Sequence, residues 1–117
     1  MTRSPSDIEA LLPLPSAAFH VLIALSAGDR HGYGIMQEVE ARTGGAVRLS
    51  PGTLYRTVQR LLEQGLVEEP PGSLPVANRR RPYRITPFGT AVARAESNRL
   101  AELVRMAEGV GLLLEPS

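Results

Sequence analysis

Residues 50–55 read Ser50-Pro51-Gly52-Thr53-Leu54-Tyr55 and open a short amphipathic helix that we predict over residues 51–64. Serine before proline is typical of a helix start. The hydroxyl can cap free backbone N–H groups, and proline at the first helical position loses no hydrogen bond. Glycine at position 65 is a typical C-terminal cap. The apolar residues of the helix share one side, at Leu54, Val58, Leu61 and Leu62.

The side opposite these leucines combines small and basic residues. It comprises Gly52, Thr53, Arg56, Gln59 and Arg60. Arginine can pair with guanine edges or with phosphates, and small residues let the start of a helix approach a ligand closely. We therefore predict that this helix lies in the major groove of DNA, where Arg56, Arg60 and Gln59 discriminate between base sequences.

The net charge of +1 conceals an uneven distribution along the 117 residues. Residues 42–84 hold eight arginines and three glutamates, whereas residues 1–41 carry a net charge of −3 and residues 85–117 carry −1. A basic middle between acidic flanks suits a polyanion such as double-stranded DNA. All 13 basic residues are arginine, which excludes a Walker-type phosphate loop and a lysine Schiff base.

Several other classes of chemistry are not expected. The chain has no cysteine, which excludes disulfides and fits a cytoplasmic protein. No secretory signal and no apolar stretch of the roughly 20 residues that span a bilayer is visible, so no membrane association is predicted. His20 and His31 lack further ligands at metal-binding spacing, and no serine has a credible His–Asp pair. We predict no metal, no cofactor and no enzymatic activity.

The elements before the central helix are predicted from residues typical of turns and helix ends and from the spacing of apolar residues. Residues 1–13 are polar and rich in proline, which indicates an irregular arm. A first helix is predicted from Ser16, as its cap, to about Ser26, and a second from about Tyr33 to Thr43. The alternation in Val47-Arg48-Leu49 is compatible with a tiny strand between the second helix and the central one.

The elements after the central helix predict a basic hairpin. Residues 66–69 and 82–86 are strand candidates, and the prolines between them indicate a loop. Arg79, Arg80 and Arg81 lie near the hairpin tip, where we predict that they contact the DNA backbone or minor groove. Three helices followed by such a hairpin form a winged helix-turn-helix, so the fold is mainly α with a small β-hairpin.

Thr86-Pro87 repeats the start signal and begins a long last helix. A helix of about 22 residues is roughly 33 Å long, which exceeds what a domain of this size can cover. Its apolar residues alternate at spacings of three and four, as in a coiled coil. We therefore predict a homodimer joined through Leu100, Leu103, Ala107, Val110 and Leu114.

Four motifs together resemble the PadR family of bacterial transcriptional regulators. They are His31-Gly32-Tyr33-Gly34-Ile35; Gly52-Thr53-Leu54-Tyr55; Arg60-Leu61 with Gly65-Leu66-Val67; and the segment Arg79-Arg80-Arg81-Pro82-Tyr83-Arg84-Ile85-Thr86 with Gly89. The resemblance implies a homodimer with an N-terminal winged helix and a C-terminal dimerisation helix. It also implies repression, in some members relieved by a small molecule. The single last helix is similar to the short subclass, and tryptophan is absent.

Together these observations divide the chain into an arm (1–13), a winged helix-turn-helix (14–86) and a dimerisation helix (87–117). The partners expected are a roughly palindromic DNA operator, a second copy and, between the dimer helices, a small effector. The alternative is a winged-helix module that binds a protein partner and no DNA. The residues predicted to bind DNA are Tyr33, Ser50, Gly52, Thr53, Tyr55, Arg56, Gln59, Arg60, Arg79, Arg80 and Arg81.

Overall fold

The computed structural model describes residues 3–71 and 81–113. Within them, five helices and one antiparallel hairpin confirm the winged helix-turn-helix. No helix of the described part is long and apolar enough to cross a bilayer. The elements are α1 (Pro5–Glu9), α2 (Ser16–Ser26), α3 (Gly32–Arg42), α4 (Pro51–Glu63), β1 (Val67–Glu68), β2 (Arg84–Ile85) and α5 (Pro87–Gly109).

The core lies where α2, α3 and α4 meet. From α4 it takes the three residues at i, i+4 and i+7, which are almost completely buried. Full burial of such a side chain contributes about 1.5–3 kcal/mol, so these residues fix the rotation of α4 about its axis. The main members of the core are Val21, Leu22, Leu25, Ile35, Val39, Leu54, Val58, Leu61, Leu66 and Val92.

Both ends of α4 form as predicted. The Ser50 hydroxyl accepts a hydrogen bond from the Thr53 N–H at 3.1 Å, and Pro51 is the first helical residue. At the other end Gly65 has φ +74°, a left-handed conformation that favours glycine. Leu66 N–H then donates to the Leu61 carbonyl at 2.9 Å, while Gly65 N–H donates to the Leu62 carbonyl at 3.1 Å. This Schellman pairing turns the chain from α4 directly into the hairpin.

The hairpin pairs with a segment that the sequence did not indicate. Val67 faces Ile85 across the two strands of the predicted hairpin. Tyr83, just before β2, pairs with Arg30 in the turn before α3. The two residues exchange two backbone hydrogen bonds, at 3.2 and 2.9 Å. The predicted strand at residues 47–49 is therefore wrong.

The alternation at residues 47–49 reflects burial rather than strand pairing. Val47 and Leu49 pack against the core, while Arg48 is exposed. The Val47 N–H bonds to the hydroxyl of Thr43, at the end of α3, at 3.0 Å and not to a neighbouring strand. Three residues are too few for alternation to distinguish the two arrangements.

The N-terminal arm contains a short helix, so the prediction of an irregular segment was wrong. Ser4 caps α1 by accepting from the Asp7 N–H, and the Asp7 carboxylate accepts from the Ser4 N–H at 2.8 Å. Pro5 is at the first helical position, the same arrangement as at the start of α4. The arm packs against α5, and the Arg3 guanidinium lies 4.2 Å from the ring centroid of Phe88.

Two helix ends differ in detail from the sequence expectation. Ser16 is the first residue of α2 and not its cap; Pro15 takes the cap position, and no described side chain caps this helix. The last helix begins as predicted, with the Thr86 hydroxyl accepting from the Gly89 N–H at 2.9 Å. It ends at Gly109, so Val110 lies at its C-cap and outside the regular helix.

Glu96 of α5 is a buried carboxylate that the sequence did not indicate. It is 2% exposed and accepts the Leu14 backbone N–H at 3.1 Å. Arg99 donates to it twice, at 2.6 and 3.0 Å. The Arg99 guanidinium holds the pKa of the Glu96 carboxyl below its usual range against the opposing effect of burial, and the Leu14 N–H strengthens this shift. Glu96 thus ties the segment before α2 to the last helix.

We expect Glu96→Gln to lower the free energy of unfolding at neutral pH by about 1–3 kcal/mol, because the buried Leu14 N–H and the partly exposed Arg99 guanidinium lose a charged acceptor. The folded-state pKa is below the unfolded value of about 4.3. The stabilisation by the ionised carboxylate is therefore complete above the unfolded-state pKa. It is lost as the pH falls through the folded-state pKa. Urea unfolding of the wild type and of Glu96→Gln, measured from neutral to acidic pH, should show that the difference between their unfolding free energies shrinks as the pH falls.

Glu102→Gln is the matched control, because Glu102 pairs with Arg105 at the same spacing but on the surface. An exposed pair contributes at most about 1 kcal/mol, so this variant should unfold close to the wild type. A Glu96→Gln effect that stayed constant down to low pH would contradict the assigned ionised state.

Candidate DNA-binding surface

The outward side of α4 brings together five of the eleven predicted DNA-binding residues. The residues on this side of the helix are exposed. Together they line one open, shallow depression of about 520 Å³. We call this surface the α4 face. Its residues are Gly52, Tyr55, Arg56, Gln59, Arg60 and Glu63.

The α4 face holds arginines that have no acidic partner. Six arginines between residues 42 and 84 belong to the described part of the chain. Arg56 and Arg60 are the two of these that form no ion pair with a described residue. The other four are neutralised locally, in the pairs Arg42–Glu38, Arg48–Glu40, Arg81–Glu69 and Arg84–Asp29. Among the described residues of this region, the positive charge available to a ligand is therefore concentrated on α4.

The start of α4 adds polar groups to this face. The Ser50 and Thr53 hydroxyls lie 3.0 Å apart, and the Arg56 guanidinium donates to the Thr53 hydroxyl at 3.4 Å. Among the described residues the Gly52 N–H has no hydrogen-bond partner, and helix starts attract anions through such groups. A Cβ added at Gly52 would have no heavy atom within 4 Å. The fold itself therefore does not require glycine at this position.

Tyr55 joins the α4 face to the elements beside it. Its ring packs on Gly32 at the start of α3, where an added Cβ would lie 2.5 Å from the Tyr55 hydroxyl oxygen. Burial raises the pKa of the Tyr83 phenol, and nearby Tyr55 and Glu69 add to this shift. Tyr55 thus lies at the junction of α3, α4 and the hairpin, and it keeps 42% of its surface exposed.

Tyr33 is the most exposed aromatic side chain of the described residues, at 66%. It lies in the first turn of α3 and lines a small depression of about 110 Å³ together with Arg48 and Leu49. This places Tyr33 beside the segment that leads into α4.

The basic hairpin is described only in part. Arg79 and Arg80 lie outside the described residues. Arg81 forms an ion pair with Glu69 at 3.4 Å, so this arginine of the predicted hairpin tip is neutralised within the protein. Both side chains of this pair are partly exposed, and such pairs contribute at most about 1 kcal/mol. A phosphate could therefore replace Glu69 at little cost.

Sequence reasoning missed the contact that fixes the base of the hairpin. The Arg84 guanidinium donates to both oxygens of Asp29, in the turn between α2 and α3, at distances from 2.9 to 3.4 Å. The hydrogen bonds and charge of Asp29 raise the pKa of Arg84. The two residues are 55 positions apart, so no local pattern could have identified them.

The predicted dimerisation residues continue the helix face that docks α5 on its own domain. Val92 and Glu96 are buried by that domain. At the next positions of the same face, Leu100 and Leu103 are 36% and 47% exposed. Val110 is exposed beyond the helix end, Ala107 is half-buried, and Leu114 lies outside the described residues.

A family sequence profile and a known protein each match more than half of this chain. The sequence profile of the Transcriptional regulator PadR-like family matches residues 21–95. A transcriptional regulator of Mycobacterium tuberculosis is 37% identical over 90 residues, which are 77% of this chain and 80% of that protein.

Two solved structures show the same fold. A transcriptional regulator from Clostridium thermocellum has a TM-score of 0.68 at 24% identity, covering 96% of this chain and 100% of that one. A PadR-like transcriptional regulator from Bacillus cereus has a TM-score of 0.65 at 17% identity, with 94% and 99% covered.

Proposed function

This chain belongs to the PadR-like family of transcriptional regulators, and we propose that it is a homodimeric repressor that occludes promoters in the cytoplasm. Members of this family bind DNA and are not enzymes. The α4 face enters the major groove, and the hairpin touches the neighbouring backbone or minor groove. Two copies related by a two-fold axis read a roughly palindromic operator, with half-sites about one helical turn apart or a multiple of it.

The observation that carries this proposal is the placement of Arg56 and Arg60. Of the described arginines between residues 42 and 84, these two lack an acidic partner, and both belong to the α4 face. An arginine that has no partner within the protein loses no ion pair when it binds a phosphate or a guanine edge. We assign phosphate contacts to Ser50, Thr53, Tyr33, Tyr55 and the hairpin arginines, and base contacts to Arg56, Arg60 and Gln59.

The proposed dimer rests on the exposed face of α5. Leu103 and Met106 are 47% and 59% exposed, and Val104 is also exposed. A second copy of α5 would remove these side chains from water, at about 25 cal/mol per Å² of apolar surface. The effector predicted between the two α5 helices would occupy this interface and stays a prediction.

Replacing Arg56 and Arg60 with glutamine tests the DNA contacts. We expect each substitution to weaken binding to a duplex from upstream of the protein's own gene. A lost phosphate contact reduces the slope of log K against log salt by about 0.9. A lost base contact reduces the preference for that duplex over a scrambled one by about 1–3 kcal/mol. Fluorescence anisotropy at several salt concentrations measures both quantities.

Arg94→Gln is the control for lost charge, because Arg94 is an exposed arginine of α5 that forms no ion pair with a described residue. It should change neither the salt slope nor the preference. If all three variants behaved alike, α4 would have no special role in binding DNA. If the wild type bound no duplex, the protein-binding alternative would replace this proposal.

Gly52→Ala should separate stability from binding. Alanine is favoured over glycine within helices by about 0.5–1 kcal/mol, and an added Cβ meets no atom of the protein. We expect a higher urea midpoint together with weaker duplex binding, since the methyl group would hinder close approach to the DNA backbone. Gly109→Ala, also in open space but at the far end of α5, should gain stability and bind DNA normally. Undiminished binding by Gly52→Ala would refute the close approach.

Leu103→Glu tests the dimer. Burying a carboxylate in an apolar helix interface is costly, so we expect light scattering coupled to size exclusion to report a monomer. Binding to a two-half-site duplex should weaken correspondingly. Ala101→Glu adds the same charge to α5 away from the apolar face and should leave the dimer intact. A dimeric Leu103→Glu protein would place the subunit interface elsewhere.

A further inference from the structure

A second, smaller cavity lies beside the α4 face, between α4 and the segment that leads into α2. Its volume is about 190 Å³, below the 300 Å³ typical of sites for drug-sized ligands. Leu14, Ala18 and Leu61 supply buried apolar surface, and Leu11 and Pro15 complete that wall. Every one of these side chains is aliphatic. We call this space the arm cavity.

The opposite wall of the arm cavity is polar and comes from α4. It consists of Arg56 and Arg60, with Thr57 and Gln64 between and beyond them. No acidic residue of the described part of the chain lines the cavity. The Arg60 side chain has no hydrogen bond or ion pair with a described residue, and the Arg56 guanidinium donates only to the Thr53 hydroxyl among the described residues. The site therefore combines an aliphatic wall with two cationic groups that lack a counter-ion.

We propose that the arm cavity binds a small aliphatic monocarboxylate, which withdraws Arg56 and Arg60 from DNA. The hydrocarbon chain would cover the aliphatic wall, and the carboxylate would accept hydrogen bonds from the guanidinium groups. A neutral hydrocarbon would leave the arginines unused, and inorganic phosphate would leave the apolar wall in contact with water. The cavity is separate from the α5 interface where the sequence predicted an effector.

The regulatory part of this inference rests on the proposed function. Arg56 and Arg60 line both the arm cavity and the α4 face. One guanidinium cannot bind a carboxylate in the cavity and a phosphate or base edge in the groove at the same time. Ligand and DNA should therefore compete directly, without a change of fold.

The wall of the arm cavity is fixed before any ligand arrives. The Leu14 N–H is bonded to the buried Glu96 carboxylate of α5, and Leu14 itself is buried. A preformed wall lowers the ordering cost of binding a small ligand.

Isothermal titration of the full-length protein with hexanoate, in the absence of DNA, tests the site directly. We expect saturable binding of hexanoate and none of hexan-1-ol at equal concentration. Arg60→Gln and Arg56→Gln should each weaken hexanoate binding by about tenfold, the loss expected for one charge-assisted hydrogen bond. Both positions are exposed, and circular dichroism verifies the fold of each variant.

Arg94→Gln is again the matched control. Arg94 lines a separate, larger groove with Phe19 and Ile23. An unchanged hexanoate affinity in Arg94→Gln supports the arm cavity. An equal loss in Arg94→Gln, or no loss in Arg60→Gln, overturns the assignment, as does the absence of saturable binding to the wild type.

Competition with DNA tests the regulatory part. Hexanoate should raise the apparent Kd for the duplex in proportion to its concentration, whereas sodium chloride of equal ionic strength should have a smaller effect. Tight duplex binding that hexanoate does not alter would overturn the regulatory inference and leave the proposed function intact. Failure of the protein to bind any duplex would refute the proposed function, while the titration would still decide the ligand site.

Discussion

The arrangement of this molecule depends on the rotational setting of α4. Leu54, Val58 and Leu61 are held between α2 and α3 with almost no exposed surface, so the opposite side of the helix must face outward. The Ser50 cap and the Gly65 turn fix where the helix begins and ends. Because of these constraints, residues at spacings of three and four become one surface that carries unpaired arginines.

The last helix is joined to this unit by a charged group rather than by apolar packing alone. The Glu96 carboxylate binds Arg99 of its own helix and the backbone before α2. Gly89 lets the start of α5 approach the Leu66 carbonyl so closely that an added Cβ would overlap it. The end of the hairpin, the arm and α5 therefore pack together as one body.

Sequence patterns predicted the elements whose signals are local. Ser50-Pro51 and Thr86-Pro87 correctly predicted two helix starts. Ser4-Pro5 also starts a helix, but the polar residues around it favoured an irregular segment. Other features depend on distant partners. The Arg30–Tyr83 pairing and the Glu96–Leu14 bond join segments far apart in the chain, and the latter spans 82 positions. Likewise, the excess of arginines predicted a basic region, but only the folded chain shows that Arg56 and Arg60 carry the unpaired charge of its described part.

The pairing of Arg30 with Tyr83 has a mechanical consequence. Two backbone hydrogen bonds, with the Asp29–Arg84 contact next to them, attach the base of the hairpin to the turn that enters α3. The hairpin base is therefore joined directly to the helix-turn-helix. In the proposed dimer, tolerance to operators of unequal half-site separation would then come from bending of α5 or from sliding of one subunit on the other, and spacing selectivity would be an elastic property of the last helix.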